Sequence, residues 1–430
     1  MKRVLTCGGG LLLSIALVST AFAGAIDNKT NWSAEYIRTF NRNAATDYAD
    51  IAAYNPAGTV KLQDGFILNG SVQYLNTDIK NIFGGKSYED SEPPVIPGIF
   101  AVYNKDRWSL YGAFAVVGGG GKVEYSQGNL TTVGAQEALI FQSNYDPEWT
   151  KPFKFVSPPG PSQLSAESYY LGYTLGGAYE INDMFSISVG FRLVDAQREG
   201  EASLIMMTDP DFIGPLPGTM KFEENGKGWG GIFGVNIAPN DKLNIGMRYE
   251  MKTNLDLKAS VDEDTFGLLG DLLGIEDGKE RPRDLPALFG FGLSYWLNPK
   301  LRAETNFTYY FNDNADWGGD QQLVDNGFDV GIAFEYHFSD SFLGSIGYNR
   351  TETGIDPQNM SSENPELDAN TLCGGIAYAF NEQFHINLGL SYISYEDDSF
   401  YLPKFPPDPI GTVKYEKTVI DIALGLEYRF

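Results

Sequence analysis

The final stretch of the chain alternates between apolar and polar positions with a period of two. From Thr418 to Phe430 every second residue is mostly apolar or aromatic, while the positions between carry Asp, Glu and Arg beside Gly and Ala. This period indicates a β-strand whose two faces meet different surroundings. A strand of a soluble sheet also alternates, but charged residues beside small ones suit the polar lumen of a membrane barrel. Tyr428 and Phe430 at the strand end fit an aromatic girdle at a membrane interface.

The same alternation recurs in pairs of segments that are joined by short polar turns. Asn, Asp and Pro recur in these turns because they tolerate the backbone angles that tight turns require. The turns lie at residues 104–106, 182–184, 239–241, 298–300, 339–341 and 381–383. Six turns join twelve strands, and one further strand at each end, Phe66–Asp78 and Thr418–Phe430, brings the predicted number to fourteen.

The remaining connections are long, vary in length and are rich in Pro, Gly, Asp and Asn. Short turns on one side and long loops on the other are typical of outer-membrane barrels, whose long loops lie outside the cell. A large soluble β-sandwich would not sort its connections in this way. We therefore predict an all-β fold class, a 14-stranded antiparallel transmembrane β-barrel that occupies residues 65–430.

The N-terminus has the three parts of a secretory signal peptide. Lys2 and Arg3 form a positive region, Leu11–Val18 an apolar core, and Ala21–Ala23 a small-x-small cleavage site. A membrane-spanning helix would need about 20 apolar residues. We predict that residues 1–23 are removed, which leaves Cys373 as the one cysteine and excludes a disulfide framework.

The composition agrees with a barrel and excludes one class of partner. A mean hydropathy of −0.23 suggests a soluble protein, yet 14% of the residues are aromatic and 49 are glycine. Alternating barrel strands explain this combination, because lumenal polar residues lower the average. The net charge of −25 disfavours nucleic acid, since no basic patch is present to neutralise phosphates. Acidic runs such as Glu396–Asp398 are interpreted as solvated loops, and no metal or cofactor is predicted.

About forty residues separate the cleavage site from the first strand, too many for a simple tail. The segment from Asn31 to Ala53 has weak helical character. The residues Asn55, Pro56, Ala57 and Gly58 then break the chain directly before strand one. Asn-Pro followed by Gly is also ordinary β-turn chemistry.

This motif in this position, the fourteen strands and the C-terminal Phe430 resemble the FadL family of outer-membrane transporters for long-chain fatty acids and other hydrophobic compounds. The resemblance covers essentially the whole mature chain. It implies that residues 24–64 form a plug, or hatch, inside the lumen of the barrel. It also implies that ligand is captured among extracellular loops, passes to a lumenal site and leaves sideways through a break in strand three.

From this resemblance we expect uptake of fatty acids or of aromatic or aliphatic hydrocarbons, at the outer membrane of a Gram-negative cell. We expect a monomer that contacts hydrophobic small molecules, outer-membrane lipid and lipopolysaccharide. Lateral release has a physical basis, because a hydrocarbon chain gains about 0.8 kcal/mol per CH₂ on leaving water. The alternative is a structural or adhesive barrel that binds an external partner through its acidic loops.

The predicted third strand, Trp108–Tyr125, contains Gly118, Gly119, Gly120 and Gly121. Glycine inside a strand weakens pairing and marks a bulge or a close approach. This is the position at which the family opens its wall, so these residues are candidates for a lateral opening. The alternative is a flexible strand end that enters a loop. A phosphate-binding loop is excluded, because Val123 stands where Ser or Thr is required.

Two predicted loops, Leu204–Met220 and Phe266–Ile275, are apolar for extracellular segments, and the second allows a short helix. Exposed apolar surface indicates a binding site, and methionine adapts to varied apolar ligands. The alternative is that the loops pack on each other over the barrel mouth. The ligand-binding candidates are Met206, Met207, Phe212, Ile213, Phe266, Leu269, Leu272 and Leu273.

Alternation also predicts which charged residues face the lumen. These are Arg192, Arg248, Glu250, Arg302, Glu304, Asp329, Glu335, His337, His385, Asp421, Glu427 and Arg429. Most are expected to pair with one another or with the plug, because unpaired buried charge is unfavourable. Arg192 and Arg198 are candidates for binding a fatty-acid carboxylate, and neutral hydrocarbon ligands remain open. We predict no enzymatic activity, since both histidines lie beside turns and no serine sits in a nucleophile elbow.

Overall fold

The computed structural model describes residues 30–90, 93–209, 214–318, 324–402 and 411–430. The predicted signal peptide, residues 1–23, and the first residues of the predicted plug, 24–29, lie outside this part of the chain.

Fourteen strands form one closed antiparallel barrel. They are β1 (Gly65–Phe83), β2 (Val95–Lys105), β3 (Trp108–Tyr125), β4 (Ser162–Glu180), β5 (Phe185–Thr208), β6 (Pro215–Asn240), β7 (Leu243–Glu250), β8 (Ala287–Asn298), β9 (Leu301–Phe311), β10 (Gly327–Ser339), β11 (Phe342–Glu352), β12 (Ala369–Ala379), β13 (Phe384–Tyr395) and β14 (Gly411–Arg429). Each strand pairs with the next along the chain, and β14 pairs with β1 from Arg429–Ile67 to Lys414–Ile82, which closes the barrel. The predicted fold class is confirmed.

All six predicted turns lie at one end of the barrel, between β2 and β3, β4 and β5, β6 and β7, β8 and β9, β10 and β11, and β12 and β13. The connections at the other end are longer. Where the structure describes them, they carry two α-helices, α3 (Leu130–Tyr145) and α4 (Leu269–Leu273), and two 3₁₀ helices, Asn312–Asn314 and Pro357–Asn359. They also carry short strands at Lys86–Glu89, Phe155–Val156, Asp256–Asp264, Glu280–Pro282 and Asp398–Leu402.

Within the described residues, no helix is both long and apolar enough to cross a membrane.

The alternation along the strands separates an outward apolar face from an inward polar one. On β14, Ile420, Ile422 and Leu424 are exposed, while Asp421 and Glu427 are buried. Most of the charged residues expected in the lumen are likewise buried: Arg192, Arg248, Glu250, Arg302, Glu304, Asp329, Glu335, Asp421 and Glu427. An outward belt of Leu, Ile, Val, Tyr and Phe suits contact with hydrocarbon.

The segment before β1 contains two single-turn helices, α1 (Ala34–Ile37) and α2 (Ile51–Tyr54), and a 3₁₀ helix over Pro56–Lys61. The weak helical pattern expected from Asn31 to Ala53 is therefore broken. It breaks after α1, where Phe40 has a positive φ of 52° that a helix does not allow.

The aromatic residues of this segment pack together instead of forming one helical face. The rings of Tyr36 and Tyr54 are stacked with centroids 5.2 Å apart, and Trp32 lies 5.3 Å from Tyr54. Tyr36 also contacts Phe40, with centroids 4.9 Å apart.

Contacts with strands on every side place this segment inside the barrel. Asn31 donates to Asp421 on β14 (3.0 Å), and Asn55 donates to Asn236 on β6 (2.8 Å). On the wall side, Ser186 of β5 donates to the carbonyl of Ala57 (2.6 Å). Thr59 and Ser109 of β3 share a hydrogen bond of 2.6 Å. A segment that bonds to strands all around a closed barrel occupies its lumen.

Buried ion pairs hold the segment on the β9–β10 side. Glu335 of β10 accepts from Arg38 of the segment and from Arg302 of β9. Arg302 also pairs with Asp47 at 2.8 Å, and Asp47 pairs with Arg42 at 2.7 Å. Removing one partner of such a network leaves an uncompensated buried charge, which is far more unfavourable than an exposed one.

A buried carboxyl group, Glu35, faces the part of the wall formed by β13, β14 and β1. Glu35 accepts from Asn69 of β1 (2.7 Å) and from Asn387 of β13 (2.9 Å). Burial, together with the nearby Asp50 carboxylate, raises the pKa of Glu35 to about 8. This side chain therefore holds its proton at neutral pH.

Replacing Glu335 by Gln should loosen the N-terminal segment, because Arg38 loses its carboxylate partner and Arg302 keeps Asp47 but loses Glu335, at a cost of about 3–5 kcal/mol. Limited proteolysis of the refolded protein, read by mass spectrometry, should then detect cleavage between residues 30 and 62. Lys227→Gln is the matched control, since its pair with Asp195 (2.7 Å) is exposed. Full protection of the segment in Glu335→Gln would contradict an anchoring role.

The raised pKa of Glu35 predicts a pH dependence of the docked segment. Between the ordinary value near 4.5 and about 8, the docked state binds a proton that the released segment does not. Stability that is fully present below pH 4.5 is therefore lost as the pH rises toward 8. Proteolytic release should be faster at pH 9 than at pH 6, and Glu35→Gln should remove the difference. An equal pH dependence in that variant would rule Glu35 out as its source.

Candidate functional site

The ladder between β3 and β4 is broken at the predicted glycine run. Val116 pairs with Leu171, Gly118 with Tyr170 and Gly121 with Ser168. From 116 to 121 strand β3 advances five residues, whereas from 171 to 168 strand β4 advances three. Strand β3 therefore carries two extra residues, a double bulge in the wall.

The bulge requires glycine for its backbone shape. Gly119 and Gly121 have φ values of +88° and +74°, in the left-handed region that favours glycine. Pairing resumes at Gly121 and continues to Tyr125, which pairs with Leu164. The glycines thus interrupt a strand and do not end it, contrary to the alternative of a strand end entering a loop.

Few side chains cover the break. A Cβ atom placed on Gly121 would lie 2.6 Å from Pro94, which comes directly before β2. A Cβ atom on Gly118 would lie 3.1 Å from the ring of Tyr170 and 3.2 Å from Cδ2 of Leu285. Tyr170 and Leu285 are buried. The wall at this point is glycine backbone, against which the side chains of Pro94, Tyr170 and Leu285 lie.

A buried cation lies beside the break. Arg283 is 3% exposed, its Nη1 donates to the carbonyl of Trp317 (3.2 Å), and its Nε has no acceptor. Among the described residues, no carboxylate lies within 4.0 Å of its guanidinium group. Burial, then the charges of Arg198 and Arg281, lower the pKa of Arg283 to about 10. Such a shift means that a negative charge placed nearby would stabilise the charged form of Arg283.

The two arginines that the sequence suggested for a ligand carboxylate have different surroundings. Arg192 pairs with Glu250 at 2.6 Å, and Arg248 pairs with the same carboxylate at 3.1 Å. Arg198 pairs with Glu224 at 2.7 Å and acts electrostatically on Arg283. Arg192 therefore shares a buried carboxylate with Arg248, whereas Arg198 acts on Arg283.

The apolar ligand-binding candidates are arranged differently from the expected loops. Most of Leu204–Met220 is not a loop, because β5 runs to Thr208 and β6 begins at Pro215. The segment is the end of a long hairpin formed by these two strands. Phe212 and Ile213 lie outside the described residues. The expected short helix is α4, which contains Leu269, Leu272 and Leu273.

These apolar residues pack against each other at the loop end of the barrel. Met206, Phe266, Leu269 and Leu272 are buried, whereas Met207 and Leu273 are partly buried. The ring of Phe266 lies 5.6 Å from Phe153 and 5.3 Å from Phe155. This burial agrees with the alternative that the two segments pack over the barrel mouth.

The helix α3 was not expected from the sequence. Asn129 and Thr132 form a capping box at its start, the one local signal that could have revealed it. Its inner face, which includes Leu139, is buried in the apolar cluster. On its outer side Phe141 and Tyr145 stack with centroids 5.6 Å apart, and Tyr145 is exposed.

The Asn-Pro-Ala-Gly motif joins the lumenal segment to the wall. Asn55 donates to the carbonyl of Ala45 (3.0 Å) and to Asn236 (2.8 Å). The amide of Gly58 donates to the carbonyl of Asn55 (2.8 Å), as expected for a turn. A Cβ atom on Gly58 would lie 2.4 Å from Nδ2 of Asn55, so a larger residue would displace that side chain.

Comparison with curated proteins finds distant relatives. The long-chain fatty acid transport protein of Escherichia coli O6:H1 is 23% identical over 262 residues, which cover 52% of this chain and 58% of the relative. Its counterpart in Salmonella typhi is 20% identical over 256 residues. The chain thus spans somewhat more than half the length of these relatives.

Solved structures share the fold over nearly the whole chain. A Pseudomonas aeruginosa FadL homologue superposes with a TM-score of 0.67 at 14% identity, covering 95% of this chain and 100% of the other. The toluene transporter TbuX of Ralstonia pickettii gives a TM-score of 0.56 at 14% identity, covering 91% and 96%.

A family model described as outer membrane protein transport protein (OMPP1/FadL/TodX) matches residues 162–430. This match takes in β4 to β14, more than half of the chain. The chain therefore belongs to the outer membrane protein transport protein family, OMPP1/FadL/TodX.

Proposed function

We propose that this protein takes up hydrophobic compounds across the outer membrane and releases them sideways through the β3 break. Membership of the family makes the chain an outer-membrane barrel and a transport protein, not an enzyme. The observation that carries the proposal is the double bulge at Gly118–Gly121, which opens the backbone ladder in the middle of a strand.

The plugged lumen supports a lateral route. The segment from Thr30 to Leu62 is almost entirely buried inside the barrel and bonds to strands on all sides. An apolar solute gains little from an aqueous passage, whereas each CH₂ group that enters hydrocarbon gains about 0.8 kcal/mol. The break gives such a solute a short way from the lumen to the membrane. We propose residues 24–64 as the plug and 65–430 as the barrel.

Capture of ligand is assigned to the loop end of the barrel. Phe266, Met206 and α4 would contact an apolar ligand, together with Met207, Phe212, Ile213 and Leu273. Their packing is adaptable, because methionine side chains and a five-residue helix can rearrange around a guest. Two relatives indicate the class of ligand, since one is named for long-chain fatty acids and another for toluene.

Within this class we propose an acyl chain with an anionic headgroup. Arg283 is a buried cation without a carboxylate partner among the described residues, and Arg198 adds to the positive potential there. Because Arg198 is already paired with Glu224, a carboxylate placed beside Arg283 would balance that one charge and accept from its free Nε. A neutral hydrocarbon would gain nothing at this position.

The remaining partners follow from the location. The outward apolar belt would contact membrane lipid, and the acidic strands above it would face lipopolysaccharide. We propose a monomer, because one chain closes the barrel by itself.

Closing the break should stop uptake without unfolding the barrel. Deleting Gly119 and Gly120 leaves three steps between Val116 and residue 121, equal to the three steps between Leu171 and Ser168. Two is an even number, so the inward and outward faces are preserved. We expect the uptake of radiolabelled dodecanoate to fall at least tenfold, while heat-modifiable gel mobility stays unchanged.

The matched control for this deletion is Gly112→Val in the same strand. A Cβ atom at Gly112 has only the Thr174 carbonyl nearby, at 3.6 Å, so the change adds bulk without touching the break. This variant should transport normally. Unchanged uptake by a well-folded deletion variant would show that ligand leaves by another route.

Substituting Arg283 by Gln should separate anionic from neutral ligands. We expect uptake of dodecanoate to fall roughly tenfold, about 1.4 kcal/mol of lost interaction, with toluene uptake unchanged. Competition binding with both compounds would show whether the loss lies in affinity. Lys227→Gln serves as the control, because Lys227 is an exposed cation whose partner is Asp195. Equal losses for the two compounds would mean that Arg283 supports structure and does not select the headgroup.

A further inference from the structure

The hairpin of β7 and β8 continues beyond the two strands in unbroken register. Glu250 pairs with Leu288, Thr253 with Leu285 and Asp256 with Pro282, so each side advances three residues at every step. Thr253 and Leu285 exchange both backbone hydrogen bonds at 3.0 Å. We call the part formed by residues 251–257 and 282–286 the inner strap.

The inner strap leaves the barrel wall. Strand β6 pairs with β7 up to Ile232–Glu250 and resumes pairing only at Asn225–Lys258. From 232 to 225 β6 advances seven residues, whereas from 250 to 258 the strap side advances eight. Only one backbone hydrogen bond, from the amide of Met251 to the carbonyl of Gly231 (2.9 Å), spans this interval.

The strap lies on the lumenal face of β6. A Cβ atom on Gly228 would be 2.2 Å from the carbonyl oxygen of Asn254, and one on Gly226 would be 2.5 Å from that of Asp256. Only glycine allows another backbone to approach so closely. The sidewall of the barrel is therefore doubled here, with the strap as the inner layer.

From this position the strap reaches the break in β3. Leu285 is buried, and its Cδ2 is one of the nearest atoms to the inner side of Gly118, together with the Tyr170 ring. Strands β4, β5 and β6 separate β3 from β7 in the wall, so this contact crosses the lumen. The inner end of the break is closed by a side chain that belongs to the strap.

We propose that the inner strap is the gate of the lateral opening, with Leu285 as the residue that closes it. This inference rests on the proposed lateral release and assigns its control to a different hairpin. The strap keeps its own ladder, and between its two ends, where Glu250 and Lys258 are paired with β6, a single backbone bond joins it to that strand. It can therefore bow away from β6 as one unit without breaking its internal pairing. Withdrawal of Leu285 from Gly118 would connect the lumen to the break.

The side-chain attachments of the strap reach the connection that follows β9. Lys252 pairs with Asp284 at 2.7 Å, and Asp284 accepts from the amides of Leu255 (3.0 Å) and Asp316 (3.1 Å). Trp317 donates to the carbonyl of Asp284 (2.8 Å). The bonds to Asp316 and Trp317 tie the strap to the connection that follows β9, whereas those of Lys252 and Leu255 lie within the strap. That connection can act as a hinge, because between Glu250 and Lys258 only the Met251–Gly231 bond ties the strap to the backbone of β6.

Shortening Leu285 should open the gate. We expect Leu285→Ala to raise the initial uptake rate of dodecanoate roughly three- to tenfold, because the open form no longer competes with a packed closed form. Leu285→Phe should lower the uptake rate, and Leu285→Met, which keeps a side chain of similar volume, should leave it at the wild-type value. Leu257→Ala is the matched control, since Leu257 is a buried leucine of the same strap that packs on Gly226. Heat-modifiable mobility verifies that every variant is folded.

Cysteine accessibility gives a readout that does not depend on transport. In a Cys373→Ala background, Leu285→Cys should react slowly with N-ethylmaleimide and at least threefold faster when dodecanoate is added. Leu257→Cys should not respond to dodecanoate. A strap with a purely structural role would leave both cysteines equally unreactive, and this result would overturn the proposal.

The outcomes separate the gate from the route. If the Gly119–Gly120 deletion abolishes uptake but Leu285→Ala behaves as Leu257→Ala, lateral release stands and the gate is wrong. If neither the deletion nor Leu285→Ala alters uptake, the lateral route fails, and the gate fails with it. A rise that is confined to Leu285→Ala, with uptake abolished by the deletion, supports both.

Discussion

The backbone of a membrane barrel must satisfy its hydrogen bonds within the wall, because hydrocarbon offers neither donors nor acceptors. Away from the turns, two departures from this constraint in the described ladders between barrel strands bear on the proposed route. One is the bulge of β3 at Gly118–Gly121, and the other is the interval of β6 at residues 226–231. The two are linked, because the strap that leaves the second interval supplies the leucine that covers the first. An opening is tolerated where another part of the chain lies behind it.

Charge in the lumen follows the same logic of local compensation. Arg38 and Arg302 share Glu335, and Arg192 and Arg248 share Glu250. Each cation is matched by a carboxylate at hydrogen-bonding distance, which is the condition for burying ions at all. Arg283 departs from this pattern, and it lies on the strap two residues from Leu285. A ligand carboxylate would therefore be drawn to the element that we propose to move.

Much of the fold could be predicted from residue patterns. Alternation and turn chemistry gave the fourteen strands and six turns, since each depends on neighbours in sequence. The Gly118–Gly121 run located the bulge for the same reason. The extended hairpin over Leu204–Met220 was missed. Its apolar residues pack on other loops, and in the sequence such residues cannot be told from an exposed loop that binds an apolar ligand. The strap was also missed, although glycine at 226, 228 and 230 alternates on one face and signals a close backbone approach.

The distribution of bonds indicates which part of the lumen can move. The N-terminal segment bonds to wall strands from β1 to β14, so its displacement would break ion pairs and hydrogen bonds on every side at once. The strap, by contrast, is paired with β6 only at its two ends, and between them it is attached through Arg283, Asp284 and a single bond to Gly231. Its contact with Gly118 is apolar. Dispersion contacts are weak individually and lack direction, so they can be broken and remade more readily than a buried ion pair. A route that opens by moving the strap leaves the charged anchors of the lumen in place, so passage of a ligand need not open the barrel to water.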